Sequence, residues 1–343
     1  MEDNALCFVR PNPKSYPVLA TIQHWQLRDL VVCPRRADEF LYVHGNNVIS
    51  YDTTMRRGKA LLRKLAFAPT SMACAEGYLA AGGQRSQLVV RSLDSDYYAE
   101  TSVGGSINNA LCIARHANGD TRLLVCNNDE KIKVLSLPEL SAVESISFPT
   151  AVNHAAVSPD GTRMLAVGDT NVVFLYGISN SGAYSRMATL TVSTDAGFSC
   201  AWSATSEKFA VASQDGTVAV WDVRSTERLA RFTPNHNATH IRNAGRCLKF
   251  SRAAGVDLLA YTEHVNTVHF IDTRTFQSRQ TVHVKGDATT HAPGGDASEG
   301  DVHITGLAFS PDGTTVFVGT EHAMLAYEVD TISRRRFPAG SII

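Results

Sequence analysis

Among the residues of this 343-residue chain that could do chemistry, two acidic-histidine pairs repeat, Glu263-His264 and Glu321-His322. A carboxylate beside an imidazole can hold a cation. Two such pairs side by side would draw in a cationic group, an attraction that weakens as the imidazoles protonate toward pH ~6. His236 and His240 have the i,i+4 spacing of a helical metal pair, but the segment NHNATHIRN offers no carboxylate as third ligand and reads as a loop, so no metal site is expected. The seven cysteines (Cys7, Cys33, Cys74, Cys112, Cys126, Cys200, Cys247) are odd in number and far apart, and most lie in apolar segments such as NALCIA, LLVCNN and FSCAWS. With no CxxC pair among them, they read as reduced core thiols. No phosphate-binding glycine loop, GxSxG elbow, HExxH pair or kinase signature occurs, so no catalytic residue and no cofactor is nominated.

Charge narrows the partners. Lys and Arg number 32 against 33 Asp and Glu, a net charge of -1, which gives no global field for nucleic acid or an anionic membrane. The runs Arg35-Arg36, Arg56-Arg57 and Arg334 to Arg336 are short and scattered and read as solvated rim. Hydrophobic residues at 44% and charged residues at 19% fit a packed globular core. No apolar stretch approaches the ~18 residues needed to span a bilayer. The start MEDNALCFVR has no signal-like character, so an intracellular place, cytoplasm or nucleus, is expected. The sequon Asn237-Ala238-Thr239 matters only in a secreted protein.

These side chains must be positioned by short strands, because helical periodicity is nearly absent and a strand-turn-strand unit repeats. Its clearest copy is FSCAWSATSEKFAVASQDGTVAVWDVRS at 198 to 225, and the equivalent third-strand ends recur at 47 to 54, 87 to 94, 131 to 138, 171 to 178, 267 to 274 and 324 to 331. Taking Tyr51, Arg91, Leu135, Leu175, Trp221, Ile271 and Tyr327 as equivalent, the spacings are 40, 44, 40, 46, 50 and 56 residues. The two long intervals hold insertions at 233 to 245 and 284 to 300, the second with almost no large apolar side chain and read as a flexible loop. Strands apolar on both faces suit four-stranded blades sandwiched between neighbours. The expectation is an all-β, single-domain, seven-bladed β-propeller over residues 1 to 343. The stretch SYPVLATIQ at 15 to 23 should pair with the last blade to hide its open edge.

In such a ring the turns between second and third strands and the links into each innermost strand face one side. They would place Trp25, Arg28, Asn108, Asn109, Asn153, His154, Asp195 and Phe198 around the mouth of the central channel. Arg246, Glu263, His264, His303, Glu321 and His322 complete the ring. The rim reads as polar, slightly acidic and rich in Asn and His, a surface for recognition because loops on a rigid scaffold concentrate binding residues.

Ser213, Asp215-Gly216 and Trp221-Asp222 resemble the WD40 repeat, with likeness of varying strength over about 30 to 330. The resemblance gives Ser213, Asp215, Trp221 and Asp222 structural roles, and Trp221 should be buried between blades. The Gly-His pair of the repeat is missing before FSCAWS, so the hydrogen-bonded tetrad is incomplete and Ser213, Asp215 and Trp221 must find each other or water. A second likeness runs through RCLKFSRAAGVDLLAYTEHVNTVHFIDTRTFQSRQTV at 246 to 282, where Asp257-Leu258-Leu259 and Glu263-His264 to Thr273-Arg274 resemble the DUF2415 domain of fungal and plant WD-repeat proteins. These resemblances imply a non-catalytic scaffold in an intracellular eukaryotic protein, binding a peptide or partner domain, with a ubiquitin-ligase substrate receptor as the sharper form. The alternatives are an enzyme using the channel mouth and a phosphoinositide or nucleic-acid reader.

Overall fold

The computed structural model describes residues 7–225, 227–234, 241–253, 255–285 and 300–332. His236, His240, the Asn237 sequon and most of the 284 to 300 insertion lie outside the described residues.

The sequence folds into strands two to eight residues long because apolar, β-branched segments alternate with turn-forming ones. In Ser158-Pro159-Asp160-Gly161, Asp160 Oδ1 accepts from Ser158 Oγ at 2.5 Å and the Thr162 amide at 3.0 Å, and Gly161 takes the left-handed φ of 69° that closes the turn. Ser310-Pro311-Asp312-Gly313 repeats the design.

The strands form seven four-stranded antiparallel sheets. Blade 1 is Val31–Val32, Glu39–His44, Asn47–Asp52 and Arg57–Leu62; blade 2 is Ser71–Ala75, Tyr78–Gly82, Gln87–Ser92 and Tyr98–Ser102; blade 3 is Asn108–Arg115, Thr121–Asn127, Lys131–Ser136 and Ala142–Ser147. Blade 4 is Val152–Val157, Arg163–Gly168, Val172–Ile178 and Tyr184–Thr191; blade 5 is Gly197–Trp202, Lys208–Ser213, Val218–Asp222 and Arg228–Phe232. Blade 6 is Cys247–Phe250, Leu258–Thr262, Thr267–Asp272 and Arg279–His283; blade 7 is Ile304–Phe309, Thr315–Thr320, Met324–Glu328 and Lys14–Tyr16. The first strand of every blade touches those of both neighbours, so the seven close into a ring around an axis. The fold is a single-domain, all-β, seven-bladed propeller.

Closure joins the two ends of the chain. Lys14, Ser15 and Tyr16 pair with Ala326, Leu325 and Met324, a bridge links Val9 to Val329, and the Asp330 amide donates to the Phe8 carbonyl. The strand placed at 15 to 23 is shorter than its sequence suggested and starts one residue earlier. Pro17, with no amide hydrogen, cannot extend the ladder. Tyr16, Val18 and Ala20 are buried in a cluster with Phe40 and Tyr51 of blade 1 and Phe317 of blade 7, so this segment also cements first blade to last.

Apolar layers between blades supply the core. Between blades 4 and 5, Trp221 is 1% exposed and stacks on Phe209 at 5.2 Å, with Leu165, Leu175 and Trp202 in the same cluster. Outermost strands such as Tyr184–Thr191 are largely exposed.

Candidate functional site

Bulges set the mouth end of four innermost strands. The pairing registers skip Asn109, Asn153, Phe198 and Thr305, so each of these residues stands out of its ladder. Asn109 Nδ2 donates to the Val152 carbonyl of blade 4 at 2.9 Å, and Asn153 Nδ2 donates to the Gly197 carbonyl of blade 5 at 3.1 Å. Asn108 is also buried, bridging the Gln87 carbonyl and Asn127. These three asparagines, expected on the recognition rim, are buried ties between strands or blades. Phe198 holds the same bulge position in blade 5 but has no hydrogen bond to give, and the Arg246 guanidinium lies over its ring at 4.3 Å.

A strap, residues 23–29, crosses this end of the channel. The Gln23 carbonyl accepts from Gln84 in blade 2, Gln26 borders a cavity between blades 4 and 5, and Asp29 reaches blades 4 and 6. Arg28 Nη1 donates to the His24 and Leu27 carbonyls at 2.7 and 3.1 Å, folding the strap on itself. Trp25 projects from it and is exposed.

The strap and the blade 6 turn bring together Arg28, Arg246, His264 and His303. Arg28 is 3% exposed and Arg246 2%. Arg246 Nε donates to His264 Nδ1 at 3.2 Å, and His264 meets His303 edge-on at 5.6 Å. Arg246 Nη1 and Nη2 and Arg28 Nε are buried with no partner among the described residues. Each unmet buried donor costs ~1–3 kcal/mol. Burial, and then the neighbouring Arg28, pushes Arg246 down to about 9 against the pull of Asp195; burial pushes Arg28 down to about 10 against Glu321. His264 is pushed to about 3 by burial, then by Arg28, Arg246 and His303, with Asp301 opposing. Its Nδ1 must keep the lone pair that accepts Arg246, so it stays neutral at physiological pH.

The two acidic-histidine pairs are therefore not alike. Glu263 turns to His269, its Oε1 2.8 Å from Nε2, beside a cavity of about 260 Å³ shared with Tyr261 and Arg279. Glu321 faces Arg28 electrostatically, and His322 is exposed. Glu263 is engaged by His269 while Glu321 acts on Arg28, and the expected weakening near pH 6 does not follow for His264. The centre of the mouth is basic, with acids at its lip. Asp195, exposed, and Phe198 line the second cavity, about 630 Å³, with Gln26, Asp169, Thr194 and Gln214.

The strap and the innermost strands also carry a cluster the sequence did not reveal. Asp29 Oδ2 is 2.5 Å from Lys249 Nζ and 3.5 Å from His154 Nε2, and His154 Nδ1 is 3.3 Å from Cys200 Sγ. His154 thus stands on the innermost strand of blade 4 and meets the strap at Asp29. Cys, His and Asp in a row resemble a nucleophile with its base, but Cys200 is 1% exposed and burial, then the nearby Cys112, pushes its thiol far up, which disfavours a thiolate at neutral pH. Burial opposes ionisation of Asp29, yet Lys249 and His154 more than offset it and hold the carboxyl well below its usual range. Among the described residues no three His, Cys, Asp or Glu side chains group to hold a metal.

Of the two ways to complete the tetrad, the three side chains do not bond one another. Asp215 accepts from the Thr194 amide and hydroxyl and the Thr217 amide, Ser213 Oγ has no partner among the described residues, and Trp221 packs apolarly. Asp222 caps its turn by accepting from the Arg224 amide and guanidinium.

The architecture defines a WD-repeat propeller, and comparison with known proteins agrees. Residues 186–222 match the family model described as WD domain, G-beta repeat, and residues 243–283 the one described as Uncharacterised protein domain (DUF2415). The chain is 30% identical over 354 residues to the uncharacterized protein C4G3.03 of Schizosaccharomyces pombe, across 99% of this chain and 98% of that protein, and it belongs to that protein's family. It is 24% identical over 227 residues to the uncharacterized protein YLR149C of Saccharomyces cerevisiae, covering 55% of this chain and 30% of that one. A chain in the crystal structure of the mitotic checkpoint complex superposes with a TM-score of 0.74 at 14% identity, covering 96% of this chain and 94% of that chain, a likeness of fold alone.

Proposed function

We propose that the chain is a non-catalytic interaction scaffold that holds a peptide or partner domain on the mouth of its axial channel. The observation that carries this is the mouth itself: a rigid ring presenting an exposed aromatic, Trp25, near a cavity of about 630 Å³ floored in part by Phe198. The buried Cys200 thiol supplies no activated nucleophile, which favours binding over catalysis. All seven cysteines are free thiols, which supports a reducing compartment, cytoplasm or nucleus.

Affinity purification from cells followed by mass spectrometry tests the reading, with Trp25→Glu as control. The partner should be recovered with the wild-type chain and lost with the variant, whose exposed position leaves the fold intact. Recovery of no stable partner counts against the scaffold, and full retention by Trp25→Glu removes the strap from the binding surface. A substrate receptor for a ubiquitin ligase is the narrower form of the proposal, and its mark would be ligase subunits in the same purification.

A further inference from the structure

Several arginines of the fold have found an acid: Arg36 meets Asp38, Arg122 meets Asp120, Arg224 meets Asp222 and Arg242 meets Asp301. The two most buried at the channel mouth have not. No ion pair reaches Arg28 or Arg246 among the described residues, although each is close enough to the charge of the other strap and blade groups to be perturbed by them. Two like charges side by side in a desolvated site stay there at a cost, and a fold that keeps them offers an anion two positive charges already in position.

The geometry specifies more than sign. The Arg246 guanidinium lies over Phe198 and gives its Nε hydrogen to His264, which leaves the buried Nη1 and Nη2 without a partner among the described residues, a fork that can grip a planar or tetrahedral oxyanion by two parallel hydrogen bonds. His264 presents a lone pair to Arg246 and so does not compete for the anion. Of the nearby acids, Asp301 is already held by Arg242 and Asn266, while Asp195 and Glu321 stand at the lip. Phe198 also lines the large cavity, so a polypeptide lying there passes the ring that carries Arg246.

We propose that the mouth binds an oxyanion carried by a partner polypeptide, a carboxylate or a phosphoryl group, through the Nη1 and Nη2 fork of Arg246 with Arg28 as the second positive charge. This rests on the scaffold reading and names the group it recognises.

The test uses the full chain and three salts at matched ionic strength: sodium chloride, acetate and phosphate. A bound oxyanion stabilises the native state by mass action, so the wild-type Tm should rise by a few degrees at ~100 mM acetate or phosphate relative to chloride. Arg246→Met should abolish the difference. If that variant does not fold, Arg246→Lys, which keeps the charge and loses the fork, should lose most of it. A response to phosphate alone assigns a phosphoryl group; a response to both admits a carboxylate. No difference among the salts, or the same difference in the variants, overturns the proposal, and the donors are then served by water. Capture of a partner that Arg246→Met retains in full also overturns it while leaving the scaffold standing. Capture of no partner sinks the scaffold, and the salt series still reports on the site.

Discussion

Asp29→Asn is the most informative single change, because one carboxylate links the strap to two blades across the channel. The Asp29 and Lys249 side chains are 24% and 29% exposed and 2.5 Å apart. An exposed pair is worth ~0–1 kcal/mol, whereas removing one member of a fully buried pair costs ~3–5 kcal/mol. A pair three-quarters buried falls between, so the substitution should cost about 2–3 kcal/mol. With an unfolding entropy of ~2.1 cal/mol/K per residue, that lowers the Tm by about 3–4 °C. The carboxyl is held well below its unfolded pKa of ~3.9, so its contribution is complete above that value and disappears as pH falls through the folded value. Wild type and variant should therefore differ at pH 7 and converge in acid. Lys249 is held above its ordinary value, so its contribution is lost only in strong alkali. Differential scanning calorimetry across pH measures both. In a double-mutant cycle, Asp29→Leu with Lys249→Met should recover much of the stability lost by Asp29→Leu alone. An unchanged Tm for Asp29→Asn at pH 7, or strict additivity in the cycle, would refute the reasoning.

Three further changes test the frame and the mouth. Trp221→Ala should cost ~3–5 kcal/mol by opening a cavity against Phe209 and Trp202, read from denaturant unfolding; a variant of wild-type stability removes Trp221 from the core. Deleting residues 1 to 20 should lower the melting temperature by well over the Asp29→Asn shift, because Phe8, Val9, Tyr16 and Val18 are all buried and each contributes roughly 1.5–3 kcal/mol; an unchanged Tm excludes the closure as a source of stability. His264 is neutral in the native state to about pH 3 but protonates near 6.5 once unfolded, so stability should fall by ~1.36 kcal/mol per pH unit on its account as pH drops below that value. His264→Gln should show a shallower acid slope than wild type, and equal slopes would place the proton elsewhere.

The repeat was legible because blade stacking makes a local demand: the middle strands must be apolar on both faces and the turns must be tight, and both leave residues in the sequence. The 15 to 23 strand misled for an equally local reason. Val18 and Ala20 alternate as a strand would, and they are buried, but through packing on Phe40 rather than through a ladder that Pro17 cannot join. Asn109 and Asn153 read as recognition residues because an exposed turn and a bulged strand start use the same amide. Only the register shows that their side chains reach the next blade.

The sign of the mouth could not be read from the turns. Counting residues there gave an acidic rim, with Glu263, Glu321 and Asp195 weighing as much as any arginine. In the ring, however, the links into the innermost strands converge on the axis, whereas hairpins between second and third strands sit ~5–10 Å farther out at ~4.8 Å per strand. Arg28 and Arg246 precede innermost strands and so stand at the centre, where burial strengthens their field; Glu321 belongs to a hairpin, and Glu263, in another, is spent on His269. A double reversal of Glu263 and Glu321 is accordingly a poor probe of recognition, since Glu263→Lys would set a cation beside His269 and Arg279 within blade 6 and disturb the fold. Reversing Glu321 alone is cleaner: it removes the charge opposing an incoming oxyanion, so Glu321→Lys should strengthen binding of an acidic partner, and a cationic partner would show the opposite.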